Sequence, residues 1–362
     1  MEPILSAIVE TDSRLRYFAC ESLYNVTKVV RTQLIPGNQR ENQPEAEFQG
    51  HISDQFVPLF TSISRLTSDS DQNVRSGAEL LDRLLKDVVS ESETAPNIGS
   101  LIRERIYAKE ATARLFVSGW IILLTGNPAA GFGEVLPAII DGLFRSLDDT
   151  NINVQRQISN ALQASLQETS RSDISQLLPI VAEQLNISGG KNNWQLRYNT
   201  LLWLRHLIPI NNEITVKSAG VCIRAIFKIK TDEVSEMKEA QRNAEINELK
   251  NDVQILLKRA ILEKAESDEL KSILQVLLSI LDTDPTARLS CFNWLDTILE
   301  KSIAEDEIIL YLPGEQSSIV QYYGSCCMSH ALHVILCYSK ERFHVFGILH
   351  GSSCQCENRN LS

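Results

Sequence analysis

The sequence predicts an all-α protein of the HEAT/armadillo-like α-solenoid class, a right-handed superhelix of about six to seven helix pairs. A positively charged residue recurs at the start of apolar helical stripes, usually after a short polar turn. The recurrence interval is about 40 residues, which is the period of repeats built from two or three helices. Hydrophobic residues make up 43% of the chain but aromatics only 6%, which suits a core of Leu, Ile, Val and Ala.

The recurring positions share an apolar residue followed by a cation, with one glutamine substitution. They are Leu15-Arg16, Val74-Arg75, Ala113-Arg114, Val154-Gln155-Arg156, Leu196-Arg197, Met237-Lys238 and Ala287-Arg288. Their separations are 59, 39, 41, 42, 41 and 50 residues. The long first interval predicts a surface insertion, which we assign to the polar residues 37–50 (GNQRENQPEAEFQG). Such insertions are tolerated because loop-closure entropy rises slowly with loop length.

Apolar periodicity predicts the helices in order, after a short helical stub in residues 1–9. The predicted spans are 15–30, 56–66, about 73–89, 135–147, about 154–166, 177–185, 196–207 and 273–281. A further helix is predicted from Pro285, because Asp284 can cap it and proline suits the first helical position. Pro58, Pro137 and Pro179 recur near the starts of first helices and reinforce the period.

The helix at 73–89 shows most clearly why the units must stack. Its apolar face follows the 3, 4, 3, 4 spacing, and comprises Val74, Gly77, Ala78, Leu81, Leu84, Leu85 and Val88. The opposite face carries Glu79 and Arg83, and Asp82 and Lys86, in the favourable i,i+4 order. A single helix pair cannot cover such a face, so neighbouring pairs have to.

The recurring cation has a structural interpretation, because functional sites rarely recur with the period of a fold. We expect it to pair with an aspartate in the turn of an adjacent repeat, which would form a ladder along the stack. Each exposed pair of this kind stabilises a protein by only about 0–1 kcal/mol, so the ladder would set register.

Charge and targeting features narrow the function classes. The chain has 35 basic and 46 acidic residues, a formal net charge of −11, so a nucleic-acid backbone is not expected as its main partner. The start of the chain lacks the cationic and apolar parts of a signal peptide, and no window predicts a transmembrane helix. A cytosolic or nuclear protein is expected. Cys20, Cys222 and Cys291 lie alone on apolar faces and are predicted to be buried small hydrophobes.

No catalytic, cofactor or metal residue is predicted in the helical body. Phosphate-binding glycine loops, zinc-protease motifs and serine-nucleophile motifs are missing from the sequence. His51 and His206 have no evident partner, and the carboxylate pairs Asp69/Asp71 and Asp148/Asp149 fit helix capping.

The last part of the chain, 303–362, departs from the repeats and is rich in Cys and His. Its candidate ligands are Cys326, Cys327, His330, His333, Cys337, His344, His350, Cys354 and Cys356. Thiolates and imidazoles at short spacing can bind zinc, but the paired C-x₂₋₄-C elements of structural sites are missing. We favour a divergent, poorly ordered tail over a zinc site. The domains expected are therefore a repeat array at 1–265, a further helical repeat at 266–302, and the tail.

Four segments are specific enough to indicate a family. They are 15–30 (LRYFACESLYNVTKVV), 73–92 (NVRSGAELLDRLLKDVVSES), 101–107 (LIRERIY) and 135–147 (VLPAIIDGLFRSL). Together they resemble the ArPIKfyve family, the vacuole-morphology HEAT scaffolds of the PIKfyve lipid-kinase complex. The resemblance runs through most of residues 1–302 and is weakest in 190–265.

The resemblance implies a non-catalytic scaffold without a cofactor. Family members hold a PIKfyve-type lipid kinase together with a Sac-type phosphatase on endosomal, vacuolar or lysosomal membranes, and so control phosphatidylinositol 3,5-bisphosphate. It also implies a chain that is shortened at both ends. Kinase contacts are expected here, whereas the C-terminal region used for self-association and phosphatase binding is only begun at 270–301, with Trp294.

Two other functions remain open from the residues alone. One is a different HEAT adaptor, such as a transport receptor or a phosphatase scaffold, which the specific segments disfavour. The other is a zinc-binding regulator that acts through the tail.

Overall fold

A computed structural model describes residues 2–34, 45–91, 98–127, 130–187, 193–229 and 237–304. Within these ranges the chain forms α-helices with short 3-10 turns and no β-strand. The α-helices are α1 Glu2–Ala7, α2 Ser13–Leu34, α3 Glu45–Leu66, α4 Gln72–Glu91, α5 Gly99–Ile106, α6 Ala111–Thr125, α7 Phe132–Arg145, α8 Ile152–Ser165, α9 Ile174–Ile187, α10 Trp194–Leu207, α11 Asn212–Lys217, α12 Ala219–Lys228, α13 Met237–Lys264, α14 Ser267–Thr283 and α15 Arg288–Ala304. The candidate zinc ligands of the tail lie outside the described residues.

The first compact unit, Met1–Ile210 with Thr231–Leu249, is a stack of helix pairs. The second helices of successive pairs, α2, α4, α6, α8 and α10, contact one another in order. The first helices α5, α7 and α9 do the same in the other layer. This repeated two-layer contact confirms the predicted all-α solenoid class, while the predicted handedness stays a prediction.

The second compact unit comprises Asn211–Lys230 and Lys250–Ser362. In its described part, α12 packs on α14 and α14 packs on α15. Leu281, Ala287 and Cys291 form a buried cluster here, with Phe227 and Ile280 against it. The predicted cap is confirmed, since the Asp284 carboxylate accepts a hydrogen bond from the Thr286 backbone N–H at 3.0 Å. Pro285 opens a 3-10 turn, and α15 follows at Arg288.

The predicted boundary of the insertion is wrong, and α14 begins at Ser267 rather than at 273. The insertion was expected to run through 37–50, but α3 begins at Glu45, so 45–50 are helical and only 37–44 lie outside the described residues. The run Glu45, Ala46 and Glu47 consists of good helix formers, and their propensity extends the helix without an apolar stripe. Pro58 therefore lies inside α3 rather than near its start.

Proline inside a helix leaves a backbone carbonyl without its usual partner, at a cost of about 3 kcal/mol or more when nothing replaces the bond. In α7, Pro137 cannot donate to the carbonyl of Gly133, four residues earlier. The hydroxyl of Ser172, which follows α8, donates to that carbonyl at 2.8 Å. The next repeat therefore supplies the hydrogen bond that proline removes.

The core confirms the prediction for the three isolated cysteines. Cys20, Cys222 and Cys291 are buried, and burial raises the pKa of their thiols to about 11, 12 and 11 respectively. These thiols are therefore protonated at neutral pH and behave as small apolar groups.

Aromatic side chains gather where α3 meets α6. Phe60 lies 5.0 Å from Phe116 and 5.2 Å from Trp120, measured between ring centroids. Phe56 completes the cluster. Among the described residues, no helix is both long and apolar enough to span a bilayer.

Gly99 at the start of α5 and Gly142 on α7 allow these two helices to pack closely. A Cβ atom on Gly99 would lie 2.5 Å from Val135 Cγ2. A Cβ atom on Gly142 would lie 2.8 Å from Ile106 Cγ2 and 3.0 Å from Tyr107 Cζ. We expect Gly142→Ala to lower the free energy of unfolding by about 1–3 kcal/mol, because overpacking forces the helices apart. The measurement is a urea titration followed by circular dichroism.

Gly126→Ala is the matched control. The nearest atom to a Cβ there is 3.5 Å away and the backbone is right-handed helical, so the free energy of unfolding should stay within about 1 kcal/mol of wild type. Equal losses in both variants would contradict the close-packing account.

Candidate binding surface

The predicted ladder of charges exists in the first helix pairs. Arg16 at the start of α2 donates from Nε to Asp69 Oδ2 at 2.7 Å, and Asp69 lies in the turn of the next pair. A second nitrogen of the same guanidinium donates to the carbonyls of Glu10 and Thr11 in its own turn. Arg16 thus joins two successive turns, as expected.

Arg114 repeats this arrangement two pairs later. It donates from Nε to Asp149 Oδ2 at 2.7 Å and to the carbonyls of Ala108 and Lys109. At the next position Gln155 keeps half of the pattern, because its amide donates to the Asp149 carbonyl of its own turn at 2.6 Å.

We call the Arg16–Asp69 and Arg114–Asp149 pairs the rungs of the ladder. The interface between them, where α4 meets α6, has no such pair. Arg75 donates to the carbonyls of Asp69 and Ser70 in its own turn. The position in the next turn that corresponds to Asp69 and Asp149 is Ala108, which offers no carboxylate. Of the three interfaces α2–α4, α4–α6 and α6–α8, the first and the third therefore carry a charged Arg–Asp pair, and the second does not.

The rungs are also more buried than predicted. The side chains of Arg16 and Asp69 are 14% and 9% exposed, and those of Arg114 and Asp149 are 16% and 4% exposed. The hydrogen bond from Arg16 lowers the pKa of Asp69, so this carboxyl is ionised at neutral pH. Both Asp69 and Asp149 also accept a backbone N–H of their own turn, which fixes the turn and the rung together.

The family-specific segment SGAELLDRLLKD is explained by packing between pairs. Gly77 on α4 faces α2, and a Cβ there would meet Cys20 Sγ at 3.3 Å. Asp82 accepts from Lys86 Nζ at 2.6 Å and from Trp120 Nε1, on α6, at 2.8 Å. The predicted Asp82–Lys86 pair is confirmed.

The environment of that pair differs from the predicted solvent-exposed face. Burial raises the pKa of Asp82, and Lys86 lies 5.8 Å from the Phe116 ring and 5.6 Å from the Trp120 ring. Gly119 gives Lys86 room, since a Cβ there would lie 2.9 Å from Nζ. The other predicted pair, Glu79 with Arg83, is not among the ion pairs of the described ranges.

Three apolar side chains on α2 are more exposed than the residues at the corresponding positions of α4. Shifting the α2 numbers by the 59-residue interval aligns Leu15, Phe18 and Val29 with positions 74, 77 and 88 of α4. On α4 this stripe packs towards α2, and its Val74, Leu81 and Val88 are buried. On α2 the aligned Leu15, Phe18 and Val29 are 47%, 59% and 59% exposed. Leu15 and Val29 are thus exposed, whereas their counterparts on α4, Val74 and Val88, are buried.

The exposed apolar residues are concentrated in the first part of the described chain. Twelve large hydrophobic residues are exposed in the described ranges, and seven of them precede residue 88. These seven are Val9, Leu15, Tyr17, Phe18, Val29, Val57 and Leu80. We call α1–α4 with these side chains the α2 surface.

The other sequence candidates have structural roles where the structure describes them. His206 forms a hydrogen bond with Thr169 at 2.8 Å. Asp71 accepts the backbone N–H of Asn73 at the start of α4, as capping requires. Asp149 instead accepts the N–H of Asn151 within the turn, and Asn151 is the residue that caps α8. No group of three metal-ligating side chains occurs in the described ranges, whereas the His51 side chain and the tail lie outside them.

Comparisons with known proteins point to one family. A family model described as the Vacuolar 14 Fab1-binding region matches residues 1–39 and 46–87. The chain is 28% identical over 309 residues to the VAC14 homolog of Arabidopsis thaliana, which is 84% of this chain and 37% of that protein. It is 26% identical over 211 residues to vacuole morphology and inheritance protein 14 of Saccharomyces cerevisiae, which is 47% of this chain and 22% of that protein.

The chain therefore spans less than two fifths of the length of these relatives. Among solved structures, two engineered proteins are similar at 14% identity, with TM-scores of 0.37 and 0.34. The matches cover 69% and 72% of this chain and 97% and 96% of the engineered chains.

The α4–α6 interface, which has no Arg–Asp pair, offers a test of how these pairs contribute to stability. We expect Ala108→Asp to place a carboxylate opposite Arg75 and to raise the free energy of unfolding by about 1 kcal/mol or less. Urea unfolding of Ala108→Asp and of the uncharged control Ala108→Asn measures the gain. If the gain persists when Arg75 is replaced by Gln, the added carboxylate does not act through Arg75 and the ladder account is contradicted.

The charge of Asp69 predicts a pH dependence with a definite sign. Because the folded-state pKa is lowered, the Arg16–Asp69 pair stabilises the fold above about pH 4, the ordinary range of an Asp carboxyl, and is lost as pH falls through the folded pKa. Arg16→Gln should thus be less stable than wild type near neutral pH, and the difference should shrink in acid. Thermal melts from pH 7 to pH 3 measure it.

Arg14→Gln is the control, because Arg14 pairs with Asp12 on the surface and its side chain is 83% exposed. This variant should melt close to wild type at neutral pH. A difference between Arg16→Gln and wild type that stays constant down to pH 3 would contradict the assignment.

Proposed function

The chain belongs to the Vac14 (ArPIKfyve) family, and on that premise we propose that it is a non-catalytic scaffold for a Fab1/PIKfyve-type lipid kinase. The α2 surface is proposed as the kinase-binding site. The scaffold would act in the complex that makes and turns over phosphatidylinositol 3,5-bisphosphate.

One observation carries this proposal. The segment matched by the Fab1-binding family model, 1–39 and 46–87, contains seven of the twelve exposed large hydrophobic residues of the described ranges. Leu15, Phe18 and Val29 fall on one face of α2, and a contiguous exposed apolar face is typical of protein-interaction surfaces. Family assignment and exposure are independent, and both indicate the same helices.

The proposed mode of binding follows from the repeat geometry. The stripe Leu15, Phe18 and Val29 occupies the positions that a neighbouring helix covers on α4. The proposed partner is a helix of the kinase whose apolar face packs on this exposed stripe, in the manner of helix-in-groove recognition. Phe18 is the expected anchor, because aromatic residues dominate such contacts.

The rung between Arg16 and Asp69 supports the same site. It lies within the α2 surface and fixes α2 against the turn before α4. A surface held rigid before binding loses less conformational entropy when the partner arrives. The charge ladder and the apolar stripe would thus act together, the first by positioning and the second by contact.

The finer parts of the proposal come from the family resemblance. We propose a Sac-type phosphatase as a second partner of the complex and a peripheral location on endosomal, vacuolar or lysosomal membranes. Capture of the phosphatase with and without the kinase present tests whether this chain binds it directly or only through the kinase.

We expect Phe18→Asp to reduce capture of a Fab1-type kinase by at least tenfold, because it places a charge at the centre of the apolar stripe. Ile152→Asp is the matched control. Ile152 on α8 is 58% exposed, against 59% for Phe18, and lies outside the matched segment. Purified chain immobilised at equal density and kinase quantified by immunoblot give the comparison.

Circular dichroism melts of both variants show whether each is folded. Equal capture by folded Phe18→Asp and wild type would remove α2 as the contact. Failure of the wild-type chain to capture any kinase would remove the scaffold proposal itself.

A further inference from the structure

A second surface lies in the other helix layer of the first unit, where α5, α7 and α9 pack side by side. Two cavities of about 550 and 410 Å³ adjoin there, and Ala138 on α7 lines both. The first is lined by residues of α5 and α7 and includes Tyr107. The second is lined by residues of α7 together with Asp173 and Gln176 at the start of α9. We call this continuous depression the α7 groove.

The two ends of the α7 groove differ in chemistry. The first cavity has Gly99, Val135 and Ala138 as its apolar floor, with Tyr107 as an aromatic wall. Its two charged residues, Arg103 and Glu104, have opposite signs. The second cavity is lined by Pro137 and Ala138 and by two carboxylates, Glu134 and Asp173, with no cation. One end is thus suited to an apolar side chain and the other to a cation.

The carboxylates at the acidic end of the groove can bind a cationic side chain of a partner. Asp173 caps α9 through Ser175 and Gln176, and these hydrogen bonds lower its pKa. Within the described ranges, Glu134 on α7 forms no ion pair. A partner cation would therefore gain an interaction with Glu134 without breaking an existing pair.

Hydrogen bonds hold the helices that line the groove in place before any partner binds. The Asp141 carboxylate on α7 accepts hydrogen bonds from the Tyr107 hydroxyl at 3.3 Å and from Gln184 Nε2, on α9, at 3.0 Å. It is also paired with Arg145 at 2.9 Å. Beside the second cavity, Ser172 donates to the Gly133 carbonyl. Both neighbours of α7 are thus tied to it, and a preorganised groove binds at lower entropic cost.

From this arrangement we propose that the α7 groove binds a short segment of a partner protein in which a large apolar residue lies close to an arginine or lysine. The apolar side chain occupies the cavity beside Tyr107, and the cation lies against Glu134 and Asp173. Ser100, Glu104, Ala138 and Gln176 are exposed, so the groove is open along its length. An open groove suits a peptide, since small-molecule sites enclose most of their ligand.

Selection of phage-displayed random twelve-residue peptides on the purified chain tests the proposal. Wild type should enrich peptides with Arg or Lys near an aromatic residue or Leu. Ala138→Arg should abolish this enrichment, because the larger side chain fills the groove and its guanidinium offsets one of the two carboxylates. Ala240→Arg, at an exposed alanine of α13 outside the groove, should leave it unchanged.

Glu134→Gln separates charge from shape. It should weaken binding of an enriched synthetic peptide by about three- to tenfold in fluorescence anisotropy, and the loss should diminish at high salt. Enrichment of acidic peptides, equal enrichment on Ala138→Arg, or no enrichment on wild type would each overturn the proposal.

Kinase capture distinguishes this surface from the α2 surface. Ala138→Arg should capture a Fab1-type kinase as well as wild type does, and Phe18→Asp should retain peptide binding. Loss of both activities in Ala138→Arg, with an unchanged melting temperature, would show that the groove is part of the kinase site and would overturn its independence.

Discussion

Burial of each helix pair against the next holds the first unit together, because no pair can cover its own apolar face. Val74, Leu81 and Val88 on α4 are buried, and α2, α3 and α6 pack against that helix. Burying one such side chain stabilises a protein by about 1.5–3 kcal/mol. Gly77 and Gly142 permit the close approach that this burial needs. Stability is therefore a sum over neighbouring contacts, as in other repeat proteins.

Polar contacts between the pairs determine register rather than supply the main stabilisation. The guanidinium groups of Arg16 and Arg114 connect successive turns, and Trp120 connects α6 to a carboxylate on α4. Each contact is directional, so it is satisfied in only one alignment of the helices. Directional hydrogen bonds also maintain the α7 groove, where Asp141 on α7 accepts from Tyr107, which follows α5, and from Gln184 on α9.

Much of the architecture could be predicted, because the apolar period and the turn residues are local. The helix starts near 73, 154 and 196 and the cap at Asp284 follow from such patterns. The extension of α3 back to Glu45 could not, because helix propensity acts there without an apolar stripe. The interface without a charged pair could not be predicted either, because it depends on the register between repeats, which aligns Ala108 with Asp69 and Asp149.

The candidate site is harder to read from sequence for a related reason. Leu15, Phe18 and Val29 have the same pattern as buried stripes in the other helices, and only the structure shows that they are open. The family-specific residues Gly77, Asp82 and Lys86, by contrast, lie between pairs. These residues contribute to packing between helix pairs, whereas the proposed kinase contacts are exposed positions on α2.

Hydrogen–deuterium exchange of the chain with and without a Fab1-type kinase tests the central claim most directly. The account predicts that the kinase slows amide exchange in α2 and α4, with the largest effect around Phe18, and leaves α8 and α10 unchanged. Slowed exchange confined to helices beyond residue 98, with α2 and α4 unaffected, would contradict it.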